Sequence, residues 1–274
     1  MYNPKLRTFL VLGLMLAWVA VATSYYLLHA RKKVCPVGTG IESAKEVSSL
    51  KQGKELLRVR KDKQAQAIFE GILKTDPGNI EALCAKAELL RRSYKYKEAE
   101  DIYNGILKKN PEDMRSLNGL AYIRYTQGRL DESQKLVNKI LKTCTNKQNE
   151  ALAYLTLGAI YSKRASEGWL LSKIKYGTQI KKCFLKAKEL APDMPETHMG
   201  LGTFYLKAPS IVGGNLDLAL KELEIAVKMA PEFATANARL AQAYKKSGDL
   251  TKYSHYLEIT KKLDPQNEVL KELE

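Results

Sequence analysis

Residues 69–77 read FEGILKTDP, and three other stretches follow the same pattern: YNGILKKNP at 103–111, FLKAKELAP at 184–192 and LEIAVKMAP at 223–231. Each begins with a large apolar residue, has a small or aliphatic residue three positions later, and closes with a proline. The first two begin 34 residues apart. This spacing predicts that one repeating structural unit accounts for most of the 274-residue chain.

Other residue types recur in the same register. A small residue stands seven positions into each of six units: Gly53, Ala87, Ala121, Gly158, Gly202 and Ala241. A second set opens the later half of each unit: Ala65, Ala99, Ser133, Ile180, Ala219 and Tyr253. The residue four positions after each of these is mostly large and apolar, and this spacing places both on one helix face. Turn signals such as Gly128-Arg129 separate the halves, so each unit is predicted to be a helix, a tight turn and a second helix.

This pattern resembles the tetratricopeptide repeat (TPR), and the resemblance implies an all-α superhelical solenoid. About six repeats are expected over residues 46–267: 46–79, 80–113, 114–147, 151–194, 195–233 and 234–267. The fourth fits only with about ten residues inserted around 164–173, and the fifth with about five around 208–213. Residues 268–274 are expected to form a C-terminal cap or tail.

An uncharged apolar run at residues 9–28 is long enough to cross a membrane as one helix. We therefore predict a tail at 1–8, a transmembrane helix at 9–28 and a linker at 29–45. The alternative is a cleaved signal peptide, because residues 20–22 read AVA. Basic residues flank the run on both sides, so the sequence leaves the orientation open. The predicted location is a single-pass membrane protein, with the bacterial inner membrane as the expected compartment.

The chain carries 45 Lys and Arg against 30 Asp and Glu, a net charge of +15. This excess favours acidic partners, anionic lipid or nucleic acid, and a solvated basic surface is the alternative. Nucleic acid is the least favoured partner, because the basic and aromatic run at 94–97 falls in a predicted turn. The four cysteines form no CxxC pair, so no zinc or dithiol site is predicted.

Catalytic motifs are not evident. The three histidines, His29, His198 and His255, lie outside any HExxH pattern, and His198 falls on a predicted core position. We therefore expect a protein that is not an enzyme and that uses no cofactor or metal.

The resemblance implies a concave groove lined by unit positions 2, 5, 9, 12 and 13. The basic residues at these positions are Lys54, Arg58, Arg91, Arg92, Arg115, Lys163, Lys207, Lys245 and Lys246. The polar and aromatic ones are Asn118, Tyr122, Tyr125 and Gln242, and the acidic ones are Glu81, Glu88 and Glu196. This bias predicts a groove for an acidic or extended peptide, and solvated helix ends are the alternative.

The insert of the fourth repeat includes Trp169 and Leu170, which are predicted to touch a membrane surface or a partner, or else to fold back on the neighbouring helices. The leading hypothesis is a membrane-anchored scaffold that binds a protein and supports assembly of a membrane-associated complex. A second hypothesis comes from residues 208–220, APSIVGGNLDLAL, which resemble the insertion in the T component of tripartite (TRAP) solute transporters. That resemblance implies an exported, ligand-binding transport subunit.

Overall fold

The computed structural model describes residues 44–168 and 170–273. Twelve α-helices account for most of this part of the chain. They are α1 (Ala44–Arg58), α2 (Asp62–Thr75), α3 (Ile80–Arg92), α4 (Tyr96–Lys109), α5 (Met114–Thr126), α6 (Leu130–Thr143), α7 (Lys147–Glu167), α8 (Leu170–Leu190), α9 (Pro195–Lys207), α10 (Leu216–Met229), α11 (Ala234–Ser247) and α12 (Leu250–Leu263). Two 3₁₀-helices, Ser210–Val212 and Glu268–Glu272, complete it. The predicted all-α solenoid is confirmed for these residues.

Local signals set where several helices begin. At five helix starts an Asn or Asp side chain accepts a hydrogen bond from a backbone N–H of the first turn: Asn79, Asp113, Asn146, Asn215 and Asp249. Such caps satisfy amides that have no partner inside the helix. Asn146 caps α7 at the boundary between the third and fourth repeats. At this boundary the sequence has Thr145 in place of the proline that closes other repeats.

The turn between the two helices of the first, second, third and sixth repeats contains a residue with a left-handed backbone. Gly128 and Gly248 supply it with φ angles of 76° and 86°. The equivalent positions of the first two repeats are Arg60 and Tyr94, which adopt φ angles of 67° and 60° without being glycine. A left-handed conformation costs a non-glycine residue about 1–2 kcal/mol, so both side chains are expected to make compensating contacts.

Small residues of each first helix accept a large residue of the second. A Cβ added at Gly53 would lie 3.0 Å from a ring carbon of Phe69, and one at Gly158 would lie 2.8 Å from Phe184. Ala87 and Ala121 are fully buried. The two helices of a repeat therefore approach each other closely at these positions, which explains why small residues recur in that register.

The fourth repeat departs from the prediction. An insertion between its helices was expected, but α7 and α8 are each 21 residues long, against 13 to 15 in the other helices. The extra residues thus mainly lengthen both helices, which lets the added backbone keep its intrahelical hydrogen bonds. Trp169 lies outside the described residues.

The fifth repeat contains a compact turn at its insert. Residues 210–212 form the 3₁₀-helix, the N–H of Gly214 donates to the carbonyl of Pro209 at 3.0 Å, and the N–H of Asn215 donates to Tyr205 at 2.9 Å. A side chain at position 214 would overlap the carbonyl of Ala208. Glycine is therefore required there.

The C-terminal 3₁₀-helix covers the last repeat. Val269, Leu270 and Leu273 are buried and pack with Ala238 and Ala241 of α11. Without such a cover the apolar face of the final helix pair would face water.

The predicted tail, span and most of the linker, at 1–8, 9–28 and 29–43, lie outside the described residues. Among the residues that are described, none of the helices is long and apolar enough to cross a membrane.

Candidate partner-binding face

The first helices of the repeats line the inner side of the solenoid. Each of α1, α3, α5, α7 and α9 contacts the first helix of the next repeat. Helices that stay in contact along a curved stack lie on its shorter, concave side. The predicted groove residues all belong to these helices, and we call this side the inner face.

Acidic residues of the same chain pair with most of the predicted basic residues. Lys54 contacts Glu81 at 2.5 Å, and Arg115 contacts Asp113 at 3.3 Å. Arg58 pairs with Glu55, and Arg91 with Glu88, each at 2.5 Å. Four acidic residues that form such pairs were not among the predicted groove residues: Glu55, Asp62, Asp113 and Glu272. The inner face is therefore less basic than predicted.

At the C-terminal end of the solenoid, Glu272 of the last 3₁₀-helix pairs with basic residues of the inner face. Its carboxylate accepts hydrogen bonds from Lys207 at 2.6 Å, Arg239 at 2.8 Å and Gln242 at 3.2 Å. Burial opposes its ionisation, but these donors outweigh that effect and lower the pKa of Glu272 to about 2. Lys245 donates to the carbonyl of Leu273 at 2.5 Å.

Three predicted basic residues remain. Arg92 pairs with Asp62 at 2.6 Å, and Lys246 donates to the carbonyl of Leu206 at 3.1 Å. Lys163 forms no ion pair with any described residue. Eight of the nine predicted basic residues thus make an ion pair or a hydrogen bond within the chain, and Lys163 is the exception.

Residues of the first two repeats reach across the solenoid to the fifth. Arg60 contacts Glu196 at 2.7 Å, and its guanidinium lies 4.0 Å from the ring centroid of Phe233. Arg92 lies 3.9 Å from the same Glu196, and Arg58 donates to the carbonyl of Asp193 at 3.2 Å. We call this set the cross-solenoid contact. A second bridge, Tyr94 to Asp264 at 2.6 Å, joins the second repeat to the last.

The charges of the cross-solenoid contact are largely withdrawn from water. The side chains of Arg60 and Glu196 are 12% and 18% exposed. Burial and the neighbouring Arg92 lower the pKa of Arg60, which nonetheless stays charged because its ordinary value is so high. Burial also opposes ionisation of Glu88, yet Arg91 and Arg92 hold its pKa well below the usual range.

The third repeat presents a different arrangement on the inner face. Asn118, Tyr122 and Tyr125 follow one another at spacings of four and three, so they share a helix face. The two rings lie 6.0 Å apart, and the Arg91 guanidinium sits 4.1 Å from the Tyr122 ring centroid. Tyr122 remains 36% exposed, so an incoming group can still reach its ring.

Asn118 is almost fully buried on this face. Its Nδ2 donates to the carbonyl of Asn149 at 3.0 Å, whereas its buried Oδ1 has no hydrogen-bond partner among the described residues. A buried acceptor without a partner costs about 1–3 kcal/mol, and the same holds for the Oδ1 of Asn237 on α11.

Elsewhere, the polar groups with catalytic potential are used in packing. His198 is buried, with Nδ1 2.7 Å from Glu222 and Nε2 2.9 Å from the carbonyl of Pro192. Burial raises the pKa of Cys84 and of Cys183 to about 11, so both stay as thiols at neutral pH. Within 44–168 and 170–273, no cluster of three or more His, Cys, Asp and Glu is placed to hold a metal ion.

Sequence reasoning missed Arg60, Phe233 and Arg239 as inner-face residues. A signal for Arg60 was present, because it stands where Gly128 and Gly248 stand in other repeats. Phe233 and Arg239 carried no local signal, since their roles depend on residues far away in the chain.

Comparison with known proteins agrees with this architecture. Two family models described as tetratricopeptide repeat match residues 63–117 and 212–252. No curated protein matches the sequence. The matched segments and the geometry together show that the described chain is a solenoid of tetratricopeptide repeats.

Solved structures share this fold at low sequence identity. A thermophilic TPR protein from Thermus thermophilus is 18% identical with a TM-score of 0.57, over 71% of this chain and 96% of that one. Human IFIT1, solved as a dimer with PPP-AAAA, is 21% identical with a TM-score of 0.55, over 78% of this chain and 48% of that one. The described residues thus share the fold of these TPR proteins.

Proposed function

We propose that the protein is a membrane-anchored, non-enzymatic scaffold that binds an extended segment of a partner protein on the inner face of its third and fourth repeats, and so supports assembly of a membrane-associated complex. Binding of protein or peptide partners is the usual use of TPR solenoids. The predicted basic residues near both ends are engaged within the chain. The residues that remain accessible, Tyr122, Tyr125 and Lys163, belong to the middle repeats.

The accessible ring of Tyr122 is the observation that carries this proposal. An apolar or aromatic side chain of an extended peptide can pack on this ring, and the neighbouring ring of Tyr125 extends the same surface. Lys163 offers one contact to a carboxylate. We therefore propose a partner recognised mainly by aromatic contacts, with acidity as a secondary feature.

Site-specific photocrosslinking in the full chain tests this proposal. A p-benzoylphenylalanine at position 122 is expected to crosslink to one partner protein, and the matched probe at 250, an exposed position on a second helix, is not. Tyr125→Ala should weaken the crosslink, and the exposed control Lys97→Ala should leave it unchanged. Equal crosslinking from both positions, or none from 122, would refute the inner face as the binding site.

The anchor is proposed from the apolar run at 9–28, and the bacterial inner membrane from the same run. Alkaline extraction of membranes from cells that express the full chain tests this part separately. A chain that is released with the peripheral proteins would exclude the anchor while leaving the partner site untouched.

The alternative is a transport-associated subunit similar to the T component of TRAP transporters. Its support is the stretch at 208–220, which folds into the ordered turn described above. This alternative requires an exported body. A topology reporter fused after residue 274 that is active only in the cytoplasm would exclude it.

A further inference from the structure

The turn of the fifth repeat displays an apolar side chain to solvent. Ile211 is 91% exposed, the largest exposed fraction recorded for a large apolar residue of the described chain. Leu185 on α8 and Leu218 at the start of α10 are 42% and 41% exposed. Exposed apolar groups are ordinary when scattered, but several around one projection indicate a contact surface.

Ile211 is held outward by a rigid support. Gly213 has a φ angle of 101°, and the crowded backbone at Gly214 closes the turn. Val212, the neighbour of Ile211, packs beside Gly177 of α8, where an added Cβ would be 3.4 Å from its Cγ1. Because the turn is fixed on both sides, Ile211 cannot fold back to bury itself.

Lysines without acidic partners stand on α8, the helix against which this turn packs. Residues 163–186 contain seven basic residues and one acidic residue. Lys175, Lys181 and Lys182 form no ion pair with a described residue. The Nζ atoms of Lys175 and Lys181 lie 5.6 Å and 5.9 Å from the ring centroids of Tyr176 and Tyr205.

These residues stand on α8, on the turn and at the start of α10, where the fourth and fifth repeats meet. Lys181 lies against the turn, because an added Cβ at Gly213 would be 3.0 Å from its Nζ. Lys182 and Leu185 stand three apart on α8, so they share an exposed face. We call Lys175, Lys181, Lys182, Leu185, Ile211 and Leu218 the Ile211 patch.

We propose that the Ile211 patch contacts the surface of an anionic lipid bilayer. A bilayer offers acyl chains to Ile211 and phosphates to the lysines in one place, and lysine stems can lie along the apolar layer while their ammonium groups reach the head groups. Each lysine near such a surface favours binding about fivefold. The proposal is independent of what occupies the inner face.

Hydrogen exchange in nanodiscs tests it with the full chain. Discs of phosphatidylcholine alone are compared with discs that also contain phosphatidylglycerol. Exchange over 174–185 and 208–214 is expected to slow several-fold in the anionic discs only, and exchange over 96–109 is expected to stay the same. Ile211→Ser and Lys175→Glu/Lys182→Glu should each remove the protection.

The matched control is Lys108→Glu/Lys109→Glu, which makes the same charge change at exposed lysines of α4. Its protection should equal that of the wild type. Equal exchange in both lipids overturns the proposal, and so does protection that survives Ile211→Ser. Soluble polyglutamate that protects both segments as strongly as the anionic discs would instead indicate an acidic protein partner. Melting curves confirm that each variant is folded.

Discussion

The inner face and the Ile211 patch are both rich in basic residues, yet their charges are used differently. On the inner face, acidic residues of the same helix, such as Glu88, or of distant segments, such as Glu196 and Glu272, pair with most of the arginines and lysines. Around Ile211, the lysines have no described acidic partner. The number of basic residues therefore does not determine which of them are available to a ligand. Their availability depends on whether each is paired with another residue of the folded chain.

The largest expected effect comes from reversing the charge at the centre of the inner face. In Glu196→Arg, the part-buried Arg60 and Arg92 lose their partner and meet a like charge, which should lower the free energy of unfolding by about 3–5 kcal/mol. Urea denaturation followed by circular dichroism measures this. Adding Arg60→Glu should recover part of the loss. A single variant as stable as the wild type would show that the cross-solenoid contact is absent in solution.

The next largest effect is expected at low pH, which should weaken the ion pairs of the inner face but not the Ile211 patch. The pKa values of Glu88 and Glu272 are lowered in the folded state, so both are ionised there at pH values where the unfolded chain binds protons. Their stabilising effect is complete above about pH 4.5 and is lost as the pH falls towards 2. The wild-type melting temperature should therefore drop over this range.

Glu88→Gln should flatten this pH dependence, because the substituted group does not titrate. The matched control is Lys175→Gln/Lys182→Gln, which should keep the wild-type slope. Parallel curves for all three proteins would contradict the assigned role of Glu88.

A smaller effect is expected at the second bridge. Tyr94→Phe removes only the hydroxyl that donates to Asp264, and this bond lies at the surface. The loss should be about 1 kcal/mol or less, seen as a small shift of the urea midpoint. Tyr96→Phe removes a neighbouring hydroxyl of the same repeat for comparison. If it shifts the urea midpoint equally, the shift in Tyr94→Phe does not report the bond to Asp264.

The smallest effect is expected in the Ile211 patch. Lys175→Glu/Lys182→Glu breaks no described ion pair, so the free energy of unfolding should change by no more than about 0.5 kcal/mol. Thermal denaturation of the purified full chain measures it. A loss as large as that of Glu196→Arg would remove the distinction between the two regions.

The sequence predicted the features that depend on local spacing. Helical periodicity alone predicts the small residues of each first helix, such as Gly53. It also predicts the large residues of each second helix, such as Phe69, which packs against Gly53. The helical form of the insert in the fourth repeat was not foreseen, because length mismatch does not reveal how added residues fold.

The inner-face residues were harder to assess. The resemblance to the repeat family implies that Arg92 and Lys207 lie on the inner face, but it does not reveal that Glu196 and Glu272 meet them there. Such contacts depend on the curvature of the whole solenoid, which accumulates from small rotations between repeats. Position within a repeat was therefore predictable, and availability for binding was not.

The cross-solenoid contact also bears on how the protein unfolds. In a solenoid stabilised only by adjacent repeats, terminal repeats can fray independently, and stability is close to a sum of local terms. Arg60 and Glu196 are 136 residues apart in sequence, so their contact closes a long loop. Fraying of the first repeat must then break contacts in the fifth, which couples the ends of the array. The chain should consequently unfold with the cooperativity of a globular domain. The slow step of its folding should be closure of this loop.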